Sequence, residues 1–136
     1  MTRKKNILVD MTCSILHYGH IRLLKKASKF GNVIVALTSD NEIKKHKHFN
    51  PELKFKHRKE LIESIRYVNK VIKSKFHINE NFLKKNKIHF LVHGNDNSNK
   101  IKKSHLKIFP RTKNISSTIL REKILKNYFK NEKRYK

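Results

Sequence analysis

His17 and His20 bracket a tyrosine and a glycine in the stretch Asp10-Met11-Thr12-Cys13-Ser14-Ile15-Leu16-His17-Tyr18-Gly19-His20. Apolar Ile7-Leu8-Val9 precedes it, and Ile21, Leu23, Leu24, Ala27 and Phe30 follow at helical spacing, so both imidazoles stand where a strand hands over to a helix. Such a junction presents free backbone N–H groups and the positive end of a helix dipole, and it suits anions. Gly19 lets the backbone come close to a phosphate, and the two histidines can reach the same phosphate chain.

The polar residues of the other loops that follow strands, and of the helix starts beyond them, point the same way. They are Lys45, Lys47, Arg58, Asp96, Arg111, Thr112, Ser116, Ser117 and Thr118. One carboxylate among many donors makes a phosphate cradle. Other chemistries lack their parts. His17, His20, His46, His48 and His57 offer zinc ligands, but Cys13 is alone, no His-Glu-x-x-His pattern occurs and the surroundings are basic, so no protein metal site is expected. Cys13 has no nucleophile's partner beyond the same two histidines. Neither a Gly-x-Gly-x-x-Gly dinucleotide fingerprint nor a P-loop is present.

The chain of 136 residues suits one domain, expected over residues 1–129, with a charged tail at 130–136 that frays. Its 34 Lys and Arg against 10 Asp and Glu leave a net charge of +24, which attracts polyanions. A single cysteine excludes an intrachain disulfide and suits a reducing compartment. No apolar run approaches the roughly 18–20 residues of a membrane span, and the opening residues read as a lead into a strand and not as a signal peptide; the expectation is a soluble, cytoplasmic protein. Phe30, Phe55, Phe82 and Phe90 fall mostly at core positions and form no stacking row, so no specific nucleic-acid partner is expected, while a peripheral membrane contact of the basic surface stays open.

These residues need a frame to bring them together. Strands are expected at residues 6–9, 33–37, 71–72, 88–92 and 106–109, the last ended by Pro110. Helices are expected at 21–30 with Gly31 as its cap, at 57–68, briefly around Phe82-Leu83, and after Ser116 or Ser117. Residues 38–56 read as a mobile loop with one helical turn at most, and 94–99 as a loop. The alternation gives an α/β fold: a Rossmann-like open, mostly parallel sheet with helices on both faces, whose ligands sit at the carboxyl ends of the strands.

The segment Ser14-Ile15-Leu16-His17-Tyr18-Gly19-His20-Ile21-Arg22-Leu23-Leu24 resembles the His-x-Gly-His signature of the cytidylyltransferase group of nucleotidylyltransferases. Residues 57–68 are similar to a second family block, an arginine-containing helix after a mobile lysine loop. Arg111-Thr112-Lys113-Asn114-Ile115-Ser116-Ser117-Thr118 resembles the family's Arg-Thr-x-Gly-Ile-Ser-Thr-Thr, and Val92-His93-Gly94-Asn95-Asp96 falls where the family has a Gly-Asp-Asp loop. The four blocks occur in family order and span nearly the whole chain. Within the family, the glycerol-3-phosphate cytidylyltransferases are most similar, with ethanolamine- or choline-phosphate enzymes and adenylyl-transferring relatives next.

The resemblance implies transfer of CMP from CTP to a small phosphorylated alcohol, glycerol 3-phosphate favoured, giving a CDP-alcohol and pyrophosphate. It implies that His17, His20, Lys47 and Arg111 act on the reacting phosphates. Thr12, Cys13, Ile15, Gly19, Gly94, Asp96, Arg111, Thr112, Ser116, Ser117 and Thr118 would bind the nucleotide, with Arg58 and Lys45 on the acceptor phosphate. It further implies Mg²⁺ carried on the CTP phosphates, and a homodimer, with Arg66 and Tyr67 structural or at its contact. The chain departs from the family's Gly-x-Phe-Asp at Met11-Thr12-Cys13-Ser14, and from its signatures at Asn95, Asn114 and Ser117. The alternatives are a catalytically weakened nucleotide-binding or regulatory homologue, another acceptor such as ethanolamine, choline or sugar phosphate, or ATP as donor. Asparagine tolerates a left-handed backbone, so Asn114 is the mildest change.

Overall fold

The computed structural model describes residues 4–131, the last of them by its backbone alone. Five strands form one sheet: β1 (Asn6–Met11), β2 (Asn32–Thr38), β3 (Lys70–Ser74), β4 (Phe90–His93) and β5 (Leu106–Ile108). Their order is β3-β2-β1-β4-β5 and every pairing is parallel. The helices are α1 (Tyr18–Ser28), α2 (Asp40–Lys47), α3 (Phe55–Glu63), α4 (Glu80–Lys85) and α5 (Ser117–Asn131), with a 3-10 turn at Lys103–His105.

Side chains alternate across β1. Ile7, Val9 and Met11 enter a cluster with Leu24 and Ala27 of α1 and Ile62 of α3, while Leu8 faces the other way, among Ile78, Leu83 of α4 and Leu91. Apolar material on both faces explains why β1 and β2 read as almost unbroken hydrophobic runs. The order runs outward from β1 to β3, then restarts on the other side at β4. The carboxyl ends of β1 and β4 therefore flank the switch point where such sheets open a crevice.

All five expected strands occur, with shifted ends. Two expectations are overturned. Residues 38–56 are not one loop, since α2 takes up 40–47 and leaves a loop at 48–54: Ser39 caps α2 by accepting from Glu42 N, Asp40 and Glu42 suit its first turn, and a left-handed His48 ends it. Only Ile43 of α2 is buried, so the helix has too little apolar stripe to register as a period. Gly31 is not the cap of α1; Lys29 is. Gly31 instead takes a φ of +156°, and a Cβ there would lie 2.1 Å from the Lys5 carbonyl oxygen.

Smaller departures follow the same logic. The helix expected over 57–68 runs Phe55–Glu63 and unwinds through turns. Phe30 is 43% exposed, packing on Phe109 and Phe90 at the sheet end under Lys107, and is not a core residue. Asn114 is left-handed, with φ 66°. Lys130 and Asn131 continue α5, and the rest of the expected tail lies outside the described residues.

Candidate functional site

A cleft of about 320 Å³ opens over the ends of β1 and β4. His17 is the N-cap of α1, and its Nδ1 accepts from Gly19 N at 3.1 Å. His20, three residues on, reciprocates: its Nδ1 accepts from His17 N at 3.2 Å. This reciprocal arrangement does with two imidazoles what Ser and Glu do in a capping box. It also stacks the rings, 3.9 Å between centroids. With both Nδ1 atoms accepting, each neutral ring carries its proton on Nε2.

Burial, then the charge of Arg111, lowers the His17 pKa; burial, then His17 and Arg111, lowers that of His20 to about 4. Both rings are neutral donors at pH 7. Gly19 has no room for a side chain, since a Cβ would stand 2.8 Å from His17 Cε1 and 3.2 Å from Ile115 Cγ2.

A second helix start meets the first. Ser116 caps α5, its Oγ accepting from Ile119 N, and Ser116, Ser117 and Thr118 all line the cleft. Neither α1 nor α5 carries an acidic residue in its first turn, whereas α2 and α4 do. Helix starts suit anions, and the two that face the cleft carry no carboxylate of their own; α3, outside the cleft, carries none either.

Lys47, at the end of α2, reaches Thr12 Oγ1 at 3.5 Å; burial, then Arg121 and Arg111, lowers its pKa. Arg111 pairs with Asp96 across the mouth, beside Gly94. Of the residues expected at a site, His17, His20, Lys47, Arg111, Thr12, Gly19, Gly94, Asp96, Thr112, Ser116, Ser117 and Thr118 line this one cleft.

Four others do not. Cys13 is buried with φ 48°, and burial pushes its thiol up to about 12, so it is no nucleophile. Ile15 is half-buried outside the cleft, and Lys45 is exposed on α2 away from it. Arg58 has a fully buried side chain. Its guanidinium donates to the carbonyls of Leu53 (2.9 Å), Thr12 (2.8 Å) and Thr38 (2.9 Å) and to Asp40 Oδ1 (2.5 Å). It clamps the loop after β1 to the start of α2, and it has no face open to a phosphate.

The cleft also holds residues that sequence reasoning passed over. Asp10, at the end of β1, accepts from Asn99 Nδ2 at 3.2 Å and lies 3.4 Å from His93 Nε2, while its Oδ1 is buried without a partner. Burial lowers the His93 pKa, but the Asp10 hydrogen bond and charge, the Gly94 carbonyl and Asp96 outweigh it and the net shift is upward. Arg121 grips Glu52 with two nitrogens and stacks on Phe49, tying α5 to the 48–54 loop. Its place one turn beyond Ser117 on α5 is the signal that could have found it; for Asp10 and Asn99, 89 residues apart, there is none.

Residues 12–123 match the model of a family described as cytidylyltransferase-like. The chain belongs to that family. Among cytidylyltransferase-like relatives, it is 31% identical to the glycerol-3-phosphate cytidylyltransferase of Bacillus subtilis (strain 168) over 125 residues, covering 88% of this chain and 97% of that one. It is 36% identical to the FAD synthase of Thermococcus kodakarensis (strain ATCC BAA-918 / JCM 12380 / KOD1) over 70 residues, 51% of this chain and 47% of that one. In fold it is similar to the crystal structure of the lipopolysaccharide core biosynthesis protein from Thermoplasma volcanium GSS1, with TM-score 0.61 at 20% identity, covering 90% and 87% of the two chains. Family membership makes the chain a nucleotidyl-transferring enzyme. No helix among the described residues is long and apolar enough to cross a membrane.

Proposed function

We propose that the protein transfers a cytidylyl group from CTP to a small phosphorylated alcohol, glycerol 3-phosphate favoured, releasing pyrophosphate. The observation that carries this is the meeting of two carboxylate-free helix starts with His17, His20, Lys47 and Arg111 in one cleft. The 31% identity to a glycerol-3-phosphate cytidylyltransferase over nearly its full length supports the acceptor.

A phosphate oxygen of the acceptor attacks the α-phosphorus of CTP, and the bond to the bridging oxygen of the β-phosphate breaks, its electron pair leaving with pyrophosphate. The nucleophile is already anionic near pH 7, so no general base is needed. The protein's task is in-line positioning and neutralisation of charge on the α-phosphate and the leaving group. The Nε2–H groups of His17 and His20 donate to those oxygens. Arg111 exchanges Asp96 for phosphate with a bidentate grip that lysine cannot copy, and Lys47 closes from α2. Thr12, Thr112 and the hydroxyls of Ser116, Ser117 and Thr118 receive the triphosphate at the start of α5, and the freed Asp96 turns to the nucleoside. Arg58 serves this site by fixing Thr12 and not by touching substrate.

Among the described residues no group of three His, Cys, Asp or Glu side chains is placed to hold a metal ion, and the cleft's two carboxylates already have partners, Asp10 in His93 and Asn99 and Asp96 in Arg111. That donor set fits Mg²⁺ carried in on the nucleotide's own phosphates, where it would supply further charge neutralisation. A homodimer in the cytoplasm completes the reading, on the family resemblance and the single cysteine alone.

Pyrophosphate release, measured for each nucleoside triphosphate against glycerol 3-phosphate, ethanolamine phosphate, choline phosphate and FMN, tests the proposal. CTP with glycerol 3-phosphate should turn over fastest. ATP with FMN in first place would reassign the donor along the lines of the FAD synthase similarity. No turnover with any pair, alongside tight CTP binding in calorimetry, would favour a binding homologue whose first loop is altered at the buried Met11 and Ser14.

A further inference from the structure

His93 ends β4 and lines the cleft, yet the reaction steps above give it no task. Both of its ring nitrogens face acceptors. Nε2 lies 3.4 Å from Asp10 Oδ2, and Nδ1 donates to the Gly94 carbonyl at 3.2 Å, with Asp96 Oδ1 3.7 Å away. A carbonyl and an ionised carboxylate can only accept, so this setting suits a ring with a proton on each nitrogen. Its register partner on β5, Ile108, brings no charge.

Asp10 gives a second reason to hold that proton. Its side chain is only 10% exposed, its Oδ1 is buried without a partner, and its Oδ2 has the neutral amide of Asn99. Among the described residues its ion pair is with His93. A carboxylate so placed favours a cation beside it. Burial opposes charge on the ring, but Asp10, the Gly94 carbonyl and Asp96 together outweigh it and raise the His93 pKa above 6.5.

Asp96 stands between two cations. Its Oδ2 holds Arg111 in an exposed pair, and its Oδ1 turns to His93. A positive His93 repels Arg111 and stays to balance Asp96 once the arginine has gone. We propose that protonated His93 is a positioning residue for the nucleotide: it remains with Asp96 Oδ1 while Arg111 leaves Oδ2 for the triphosphate, and so sets how readily Arg111 is released. The inference rests on the phosphate role given to Arg111 in the proposed function. A neutral His93 leaves Asp96 with Arg111 alone, and the arginine is held back.

Calorimetric titration of the full chain with CTP at fixed ionic strength, from about pH 6 to about pH 9.5, tests this in the parent and in His93→Gln. At the acid end the variant should bind at least about fivefold more weakly. The ratio of the two dissociation constants should fall toward one as pH rises, because the parent then loses a charge the variant never had. Titration of CTP itself, or of His17, His20 and Lys47, acts on both proteins and cancels in the ratio. Asp10→Asn removes the charge that favours the second proton, and should move the fall to lower pH. Independently of any variant, the His93 Cε1–H resonance of the parent should titrate above 6.5, and its midpoint should rise further with CTP bound.

A ratio constant with pH, whether one or larger, would leave His93 a merely structural wall and overturn the inference. So would a fall that Asp10→Asn does not move, or a His93 midpoint unchanged by CTP. Absence of CTP binding in the parent is a separate result, which overturns the proposed function and this inference with it.

Discussion

His17 and His20 cap a helix through Nδ1, and in the proposed function they donate to phosphate through Nε2, so the two duties share the ring's two nitrogens. Removing either should cost turnover far more than stability: His17→Ala and His20→Ala are each expected to lower kcat by about 10²–10³, the effect of losing one transition-state donor, with about 1 kcal/mol of stability lost with the cap. Steady-state kinetics beside urea denaturation separates the two. Gly19→Ala should match the histidine variants in turnover, because its Cβ displaces the His17 ring while the fold stays intact.

The same rings make stability depend on pH. In the unfolded chain His20 titrates near 6.5; folded, burial and then the charges of His17 and Arg111 hold it neutral down to about 4. Between those values the unfolded chain binds a proton that the native chain refuses. The His20 contribution is therefore complete above pH 6.5 and falls with pH below it, by up to about 1.4 kcal/mol per unit. His93, whose pKa is raised, acts in the opposite sense. Denaturation from about pH 7.5 to about pH 4.5 should show a shallower loss in His20→Ala than in the parent.

At the scale of elements, the buried guanidinium of Arg58 does what a longer core would otherwise do, joining three backbone carbonyls and Asp40 across α3, α2 and the loop after β1. Lysine cannot reproduce that fork. Arg58→Lys should cost about 2–3 kcal/mol by leaving buried carbonyls unpaired, read as a lower urea midpoint, with loss of turnover following through Thr12. A direct acceptor-phosphate role would instead raise the acceptor KM at unchanged stability. Gly31→Ala is expected to destabilise in the same assay without touching the cleft, because the Lys5 carbonyl fills the space a Cβ needs.

Over the whole molecule the charge of +24 acts at long range. It should speed capture of a nucleoside triphosphate, so kcat/KM for the nucleotide is expected to fall several-fold as ionic strength rises from about 0.01 to about 0.3 M, with kcat little changed. A kcat that falls in parallel would place the salt effect on the chemistry in the cleft.

Local patterns along the chain already specify a good deal. Apolar runs of a few residues mark the strands, because strands buried on both faces carry no polar alternation. The spacing of His17, Gly19 and His20 places them at a strand-to-helix junction, where the structure has them. The parallel α/β architecture follows from the alternation of elements. α2 stays hidden because a helix with one buried residue has no hydrophobic period; its one local signal is Ser39 followed three residues on by Glu42.

What the fold alone decides concerns residues far apart in the chain. Asp10 meets Asn99 and His93 only because β4 pairs with β1, and no local rule connects them. Arg58 and Arg111 look alike as basic residues near family-like blocks. The tertiary structure separates them, burying one under four acceptors and leaving the other at the cleft mouth, because side-chain roles depend on which backbone atoms arrive from other elements.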